Sequence, residues 1–268
     1  MKHLEFKPVK PLENYIQLVW ISESESPEDR FEKVKIMPDG IIEIVFHYHD
    51  PFITYLADGR SFKQPKGFAI SQMRKFIAIE SDGKTGFVSV RCYPWGAHHF
   101  FNEPLKNFLD DTIDIKHLWH NDSKTILDQL RTTNTPSEKA NLIQTFLLEK
   151  LSENKKESDN IDEAIKLIRK TKGLLSVEEI CEKTNLTHKQ LERGFLSTVG
   201  TTPKIFSRIS RFLNLCHNLK NYESKSMATL AHDMGFYDQA HFIKEFKDFS
   251  GLTPKEYFEE NNIVFADF

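Results

Sequence analysis

Four histidines in the first hundred residues are the side chains most suited to bind a metal ion. His47 and His49 are two apart in a predicted strand, which would place both on one face, and His98 and His99 follow later in the chain. Imidazole nitrogens are common zinc ligands, but no Asp, Glu or Cys completes a metal-ligand spacing here. We therefore interpret them as ordinary side chains, and we predict no metal site and no cofactor.

The sequence contains no pattern typical of an enzyme. There is no Ser-His-Asp, Cys-His or paired-carboxylate arrangement, and no glycine-rich loop that would hold a phosphate group. The three cysteines, Cys92, Cys181 and Cys216, form neither a disulfide framework nor a Cys-x-x-Cys site, and we interpret Cys181 and Cys216 as small buried apolar residues. The sequence predicts a protein without catalytic activity.

Basic and polar side chains recur on two segments with helical spacing. Leu191 and Phe195 mark the buried side of one predicted helix, and Phe242 and Phe246 mark that of another. The positions that face outward are Lys189, Arg193 and Ser197 in the first helix, and Ala240, His241, Lys244 and Lys247 in the second. Such faces suit contact with phosphates and base edges in a major groove, although one isolated basic helix is more often simply solvated.

The two helices belong to two copies of one unit, which favours a shared role over simple solvation. The copies run from Ile180 to Phe206 and from Leu230 to Tyr257, and a Gly-x-Thr-Pro-Lys motif recurs at an offset of 51 residues. Each copy reads as helix, tight turn, helix, with Asn185 and Gly235 at the turns, where left-handed backbone is tolerated.

Capping signals give the boundaries of the two units. Ser176 with Glu179 and Thr187 with Gln190 predict capping boxes, so the units span about residues 176–199 and 226–249. A long helix from Lys204 to Leu219 would join them and place two groove-binding helices about 34 Å apart.

The segment from Gly235 to Tyr257, with its Gly-Phe-x5-Phe-x3-Phe-x4-Gly-x-Thr-Pro-Lys-x-Tyr pattern, resembles the DNA-binding domain of AraC/XylS-type transcriptional activators. The resemblance covers about 110 residues and implies two helix-turn-helix units that read successive major grooves. It implies base contacts at Lys189, Gln190, Arg193, Gln239, Ala240, His241 and Lys244. Glu192 and Gly194 depart from the family pattern, because an acid repels phosphate and a helical Gly costs about 1 kcal/mol relative to Ala.

Length and composition are those of an ordinary globular protein with two domains: 268 residues, 39% apolar and 28% charged. No apolar run is long enough for a signal peptide or membrane helix, so we expect a cytoplasmic location and no membrane partner. The net charge is -3, but residues 166–258 contain 15 Lys and Arg against 10 Asp and Glu. The duplicated region is therefore locally basic, as nucleic-acid contact requires.

Residues 1–121 have short β-rich runs at 15–21, 41–49, 52–56, 75–80 and 86–93, separated by turn signals. This spacing predicts a small antiparallel barrel or sandwich. Two signatures, Pro38-Asp39-Gly40-x-Ile42-Glu43 and Tyr93-Pro94-Trp95-Gly96, resemble cupin-like domains that precede AraC-type DNA-binding domains, which implies an effector-sensing or dimerising role. The candidate effector-binding residues are Trp20, Glu43, Tyr93 and Trp95, although core packing is the more common role of such aromatic residues.

Residues 122–158 read as a helical connector followed by a linker. Helical spacing covers Ser123 to Arg131 and Pro136 to Glu153, and the apolar stripe of the second helix either packs on its own core or pairs with a second subunit in a homodimer. Residues 152–160 are polar without periodicity, and a further helix from Ile161 to Lys170 begins the C-terminal domain, residues 159–268.

Together these features predict an α+β multidomain protein: a small β barrel or sandwich, a helical connector and an all-α domain with two helix-turn-helix units. The function that they favour is that of a bacterial transcriptional regulator of the AraC type. It would bind double-stranded promoter DNA and recruit or block RNA polymerase, under control of a small effector or of dimerisation. Two alternatives stay open: a front domain that is an enzyme or a ligand- or metal-binding cupin, and a helical pair that binds proteins rather than DNA.

Overall fold

A computed structural model describes residues 1–264 except 27, 31, 71, 82, 109–111, 155, 157–159, 219–225, 234, 237 and 260–262. The strands are β1 (Lys2–Phe6), β2 (Ile16–Glu23), β3 (Val34–Ile36), β4 (Ile42–His47), β5 (Ile53–Leu56), β6 (Ser61–Lys63), β7 (Gly67–Ile70), β8 (Ile77–Glu80), β9 (Gly86–Cys92), β10 (Thr112–Asp114) and β11 (Ile263–Val264). They form a six-stranded sheet in the order β1-β2-β9-β4-β7-β10 and a five-stranded sheet in the order β11-β3-β8-β5-β6. All pairs except β11 with β3 are antiparallel, which confirms the predicted barrel or sandwich.

One expectation for the strands was wrong. β4 ends at His47, so His49 lies beyond the strand and does not share a face with His47. The chain turns there because the backbone N–H groups of Tyr48 and His49 both bond to the carbonyl of Gly86 instead of continuing the ladder. His47 is buried inside the barrel.

Two helices pack across one face of the six-stranded sheet. α1 (Ile115–Thr132) begins earlier than predicted, because the Asp114 side chain accepts the backbone N–H of Lys116 and caps it, and it kinks at His120. α2 (Pro136–Glu153) packs its apolar stripe, next to α1, against the face of the six-stranded sheet that carries Ile44 and Phe46, opposite the barrel interior. The stripe was expected either to pack on the chain's own core or to pair with a second subunit. In the structure it packs on the chain's own core.

The C-terminal region is helical. Its helices are α3 (Asn160–Lys170), α4 (Val177–Thr184), α5 (His188–Thr198), α6 (Pro203–Asn218), α7 (Met227–Asp233), α8 (Gln239–Ser250) and α9 (Pro254–Glu259). α6 is the predicted long connecting helix, and Leu219 at its expected end lies outside the described residues. None of the described helices is long and apolar enough to cross a membrane.

Helix α6 joins two separate hydrophobic cores. Phe206, near its start, packs in the core of α3, α4 and α5, whereas Ile209 and Phe212 pack in the core of α7 and α8. Cys216 is buried as predicted, but Cys181 is only half-buried. Because one helix contributes to both cores, it fixes the two helical units relative to each other.

Candidate nucleic-acid interface and barrel cavity

The two turns that precede α5 and α8 have the backbone conformation that the sequence predicts. Asn185 ends α4 with φ 53° and ψ 35°, in the left-handed region, and Gly235 has φ 72° at the matching position. Ser176 and Thr187 form the predicted capping boxes with Glu179 and Gln190. These contacts are local in sequence, so each helix-turn-helix unit is specified largely by its own residues.

The outer faces of α5 and α8 are free of contact with the barrel. Leu191, Phe195, Phe242 and Phe246 are buried, as the helical spacing predicts. The candidate DNA-contacting residues all have exposed side chains, and they are Lys189, Gln190, Arg193, Ser197, Gln239, Ala240, His241, Lys244 and Lys247. Both faces are therefore accessible in the conformation described.

Gln190 and Asp238 each take part in the N-terminal cap of a helix, α5 and α8 respectively. The side-chain oxygen of Gln190 accepts hydrogen bonds from the backbone N–H (2.9 Å) and hydroxyl (2.7 Å) of Thr187. Asp238, which sequence reasoning missed, accepts the backbone N–H of His241 at 2.7 Å and caps α8. Gln190 thus has only its amide N–H groups left to contact a base.

Gly194 has a packing role that explains its position inside α5. A Cβ atom at Gly194 would lie 2.2 Å from Cδ1 of Ile161 in α3, closer than side-chain carbons approach. The glycine therefore permits close contact between α5 and α3, on the side away from solvent. Glu192 is exposed on α5 beside Arg193, so its negative charge stays on the candidate DNA face.

Glu245 connects α8 to α6. Its side chain is only 8% exposed, and it accepts a hydrogen bond from Nε of Arg208 at 3.0 Å. Nη2 of Arg211 lies 3.9 Å and Nε2 of His241 lies 3.8 Å from the same carboxylate. This ion pair holds the groove-facing helix of the second unit against the helix that joins both units, and sequence reasoning missed it because α6 and α8 are far apart in the chain.

The barrel contains a cavity of about 160 Å³ that is partly open to solvent and lined mainly by apolar and aromatic side chains. Among the four predicted effector-binding residues, Trp20 and Glu43 line it. Tyr93 and Trp95 do not: their rings stack at 4.7 Å on the barrel exterior, where Trp95 packs against the core of the first helical unit. Trp20 and Glu43 therefore lie inside the barrel, whereas Tyr93 and Trp95 lie outside it, where the helical domain docks. Sequence spacing does not reveal this docking.

The carboxylate of Glu43 belongs to a charged cluster at one end of the cavity. Arg91, 2% exposed, lies 3.3 Å from Glu43 and 2.6 Å from Asp39. Burial raises the pKa of Glu43, and the Arg91 guanidinium opposes that rise. When Glu43 and Asp39 are both ionised, Arg91 neutralises one of the two carboxylates and the cluster keeps a net charge of about -1.

His47 lies in the same cavity, and sequence reasoning did not connect it to Glu43 and Trp20. Burial lowers its pKa to about 4, so the ring is neutral near pH 7. Nε2 lies 2.9 Å from the side-chain oxygen of Gln64, whose amide nitrogen donates to Thr54. The side-chain oxygen of Gln64 thus accepts a hydrogen bond from the Nε2–H group of His47, which leaves Nδ1 as an acceptor.

Of the other histidine pair, His99 is buried and His98 is half-buried. Burial, with smaller contributions from His99 and Lys156, lowers the pKa of His98 to about 3, and the rings of His98 and His99 lie 4.0 Å apart. Within the described ranges, no group of three or more His, Cys, Asp or Glu side chains is arranged to hold a metal ion.

Residues 180–260 match a sequence family described as a helix-turn-helix domain. This region is an AraC-type helix-turn-helix domain. Domains of this type bind DNA in regulators of transcription. Residues 4–114 match a family described as a domain of unknown function, and no match to a curated protein was found.

Several solved structures are similar to the chain over most of its length. ToxT from Vibrio cholerae is 12% identical, over 89% of this chain and 98% of that chain, with a TM-score of 0.47. ToxT with a bound unsaturated fatty acid is 13% identical, over 91% of this chain and 100% of that chain, with a TM-score of 0.44.

The AraC-type domain is in direct contact with the barrel. Met37 of the barrel is buried in the core of the second unit, and the backbone N–H of Phe76 bonds to the carbonyl of Phe249 at the end of α8. β11, beyond the last helix, pairs with β3. The second helical unit is thus anchored to the barrel, and the candidate DNA faces of both units remain exposed.

A larger cleft of about 570 Å³ lies between the barrel and the AraC-type domain. Arg60, Arg74, Lys75 and Arg208 line it together with Asp58 and Asp248. Positive side chains therefore outnumber negative ones in the lining of this cleft.

Proposed function

We propose that the protein is a sequence-specific transcriptional regulator that binds promoter DNA through α5 and α8. The single observation that supports this most is the joint exposure of all nine candidate DNA-contacting side chains on two helices with buried apolar partners. Lys and Arg on these faces suit phosphate and base contact. A regulator of this kind would act in the cytoplasm and recruit or block RNA polymerase.

We also propose that a small molecule in the barrel cavity controls DNA binding. A continuous set of contacts supports this: Glu43 in the cavity pairs with Arg91, Arg91 pairs with Asp39, and Gly40 beside it contacts Phe206 of α6. β3, whose Val34 and Ile36 line the cavity, continues into Met37 in the core of the second unit. A change in the cavity would therefore reach the helix that sets the spacing of both units.

Any homodimer would use another surface than the apolar stripe of α2, because that stripe is buried in the same chain. The outer strands β1 and β6 at the sheet edges have exposed residues that leave room for such contact.

The test begins with selection of the genomic DNA fragments that the purified full chain binds, followed by footprinting to define the operator. Affinity for the operator and for a scrambled duplex is then measured by fluorescence anisotropy at rising salt concentration. We expect the operator to bind about a thousandfold or more tighter than the scrambled duplex, with affinity that falls steeply with salt.

A matched pair of double variants separates the DNA faces from general charge. Arg193→Ala with Lys244→Ala removes two positive charges from α5 and α8, whereas Lys2→Ala with Lys7→Ala removes two exposed charges from the barrel. Only the first should abolish operator preference. No binding of any duplex at low salt, with the protein folded, would favour the protein-interaction alternative.

A further inference from the structure

We propose that the barrel cavity binds a small organic cation: an ammonium group on an apolar body about the size of one ring. The inference specifies the ligand class of the effector role proposed above and rests on that role for its regulatory consequence. The binding step itself can be tested without DNA.

The size of the cavity limits the ligand. A cavity of about 150 Å³ lined by apolar side chains accommodates benzene. The barrel cavity, at about 160 Å³, therefore suits a single ring or a short aliphatic body with one polar group. A long acyl chain or a fused ring system would have to extend out of this space.

Aromatic rings form much of the wall and favour a cation. The rings of Trp20 and Phe87 meet edge-to-face with centroids 4.9 Å apart, and Phe52 meets Phe87 in the same way at 5.5 Å. A desolvated cation over an aromatic face, Trp above all, is stabilised by the negative electrostatic potential of that face. An anion at the same place would be repelled.

The polar atoms that remain available in the cavity are able to accept hydrogen bonds. Nδ1 of His47, in a residue that is 1% exposed, is buried without a hydrogen-bond partner in the described part of the chain. Such an atom is costly unless a ligand or water bonds to it. The side chains of Ser89 and Trp20 donate to the Glu43 carboxylate, whose remaining lone pairs make it a second acceptor. A ligand that brings several N–H donors fits this set.

The charge balance points the same way. None of the described residues that line the cavity is Lys or Arg, and Arg91 behind Glu43 is shared with Asp39. Burial favours the neutral form of Glu43, and a ligand cation beside it would stabilise the ionised carboxylate that Arg91 shares with Asp39. A ligand carboxylate would add a second unpaired anion to a buried site, which is strongly unfavourable.

The test uses isothermal titration calorimetry on the purified full chain near pH 7.5, with four probes of similar size. Benzylamine and cyclohexylamine are cations, benzyl alcohol is a neutral analogue and benzoate is an anion. Each is titrated to about 10 mM, because a ligand of this size is expected to bind with a Kd on the order of 1 mM. We expect both amines to bind at least tenfold tighter than the alcohol, and benzoate not to bind.

Variants place the binding in this cavity. Glu43→Gln keeps the side-chain shape, and it should reduce the preference for amine over alcohol to less than about twofold; Glu149→Gln, an exposed site on α2, should leave it unchanged. Because loss of the Arg91 partner threatens folding, Ser89→Ala serves as a second variant, with an expected severalfold loss of amine affinity. Circular dichroism of each variant verifies the fold.

Three results would overturn the proposal: equal or tighter binding of the alcohol or benzoate, amine preference that survives in folded Glu43→Gln, or no binding of either amine. Operator affinity of the unliganded chain is measured separately. If the amines fail to bind while the operator is still recognised, only the ligand class is wrong, whereas loss of operator recognition with intact amine binding contradicts the proposed function alone.

Discussion

Gly40, in the turn before β4, lies directly against Phe206 of α6. A Cβ atom at Gly40 would be 3.1 Å from Cε2 of Phe206 and 3.7 Å from Cγ2 of Ile209. Gly40 has φ 75°, which a side chain would disfavour, and its carbonyl accepts a hydrogen bond from the Gln72 side chain. The barrel therefore contacts the connecting helix through a backbone segment that has little freedom to move.

Gly40→Ala is expected to destabilise the protein and to change operator affinity, because the added methyl group strains the backbone and pushes on Phe206. Gly59→Ala is the matched control, since Gly59 also has positive φ, 88°, but its added methyl group would have no neighbouring atom within 4 Å. Each left-handed alanine costs about 1 to 2 kcal/mol. Thermal unfolding should show a larger loss of stability for Gly40→Ala than for Gly59→Ala. Only Gly40→Ala should change the operator affinity measured by fluorescence anisotropy. Equal effects of both variants would mean that the Phe206 contact is unimportant.

Gly194→Ala is expected to destabilise the first helical unit, although alanine is the better helix former by about 1 kcal/mol. The new methyl group would overlap Ile161, and such overpacking costs about 1 to 3 kcal/mol. Ile161→Ala alone leaves a cavity and costs about 2 to 5 kcal/mol. In a double-mutant cycle by chemical denaturation, the two substitutions together should cost less than their sum. Additive losses would show that the residues do not compete for space.

The helical units could be predicted from sequence because their determinants are local. Ser176 with Glu179 and Thr187 with Gln190 are three residues apart, and the buried side of each helix repeats every three to four residues. The reason for Gly194 was not predictable, since Ile161 lies in another helix. Nor could the cavity be predicted, because Trp20 and the pair Glu43 and His47 come from strands whose pairing the sequence does not reveal.

For the same reason, the lining of the barrel cavity was predicted only in part. Trp20, Glu43 and His47 converge because β2 and β4 both pair with β9, a register that sequence spacing does not define. Short strands such as β3, β6 and β10 have too few residues for an alternating pattern. Tyr93 and Trp95 were placed with the effector residues by motif, but the docked helical domain covers Trp95 from outside.

Arg193→Ala and Lys244→Ala are each expected to weaken operator binding by about 1 to 3 kcal/mol if the side chains contact base edges. Both are exposed on the outer faces of α5 and α8. Anisotropy titrations with operator and scrambled duplexes measure the effect, and Lys2→Ala on the barrel serves as the control. An equal loss on both duplexes would assign the side chains to phosphate contact only.

Glu245→Gln is expected to loosen α8 from α6, because it removes the charge that pairs with Arg208 and approaches Arg211. Since Arg208 is about one-third exposed, water screens the pair and the expected loss of stability is modest, about 1 to 2 kcal/mol. Asp248→Asn, on the exposed side of the same helix, should change stability by less than about 0.5 kcal/mol. Operator affinity should fall only for Glu245→Gln. Unchanged affinity together with reduced stability would show that the ion pair does not orient the helix.

His47 is expected to make the barrel sensitive to acid. Its pKa is about 4 in the folded protein against 6.5 when unfolded, so between these values the unfolded state binds a proton that the folded state does not. Stability should therefore decrease as pH falls from about 6.5 to 4, by up to about 3 kcal/mol from this residue. His47→Gln should lower stability at pH 7 but flatten this part of the profile, measured by denaturant unfolding at each pH, whereas the exposed His117→Gln should not. Because the half-buried His98 also has a lowered pKa, some acid sensitivity should persist in His47→Gln. A profile for His47→Gln as steep as that of the original protein would assign the sensitivity to other groups.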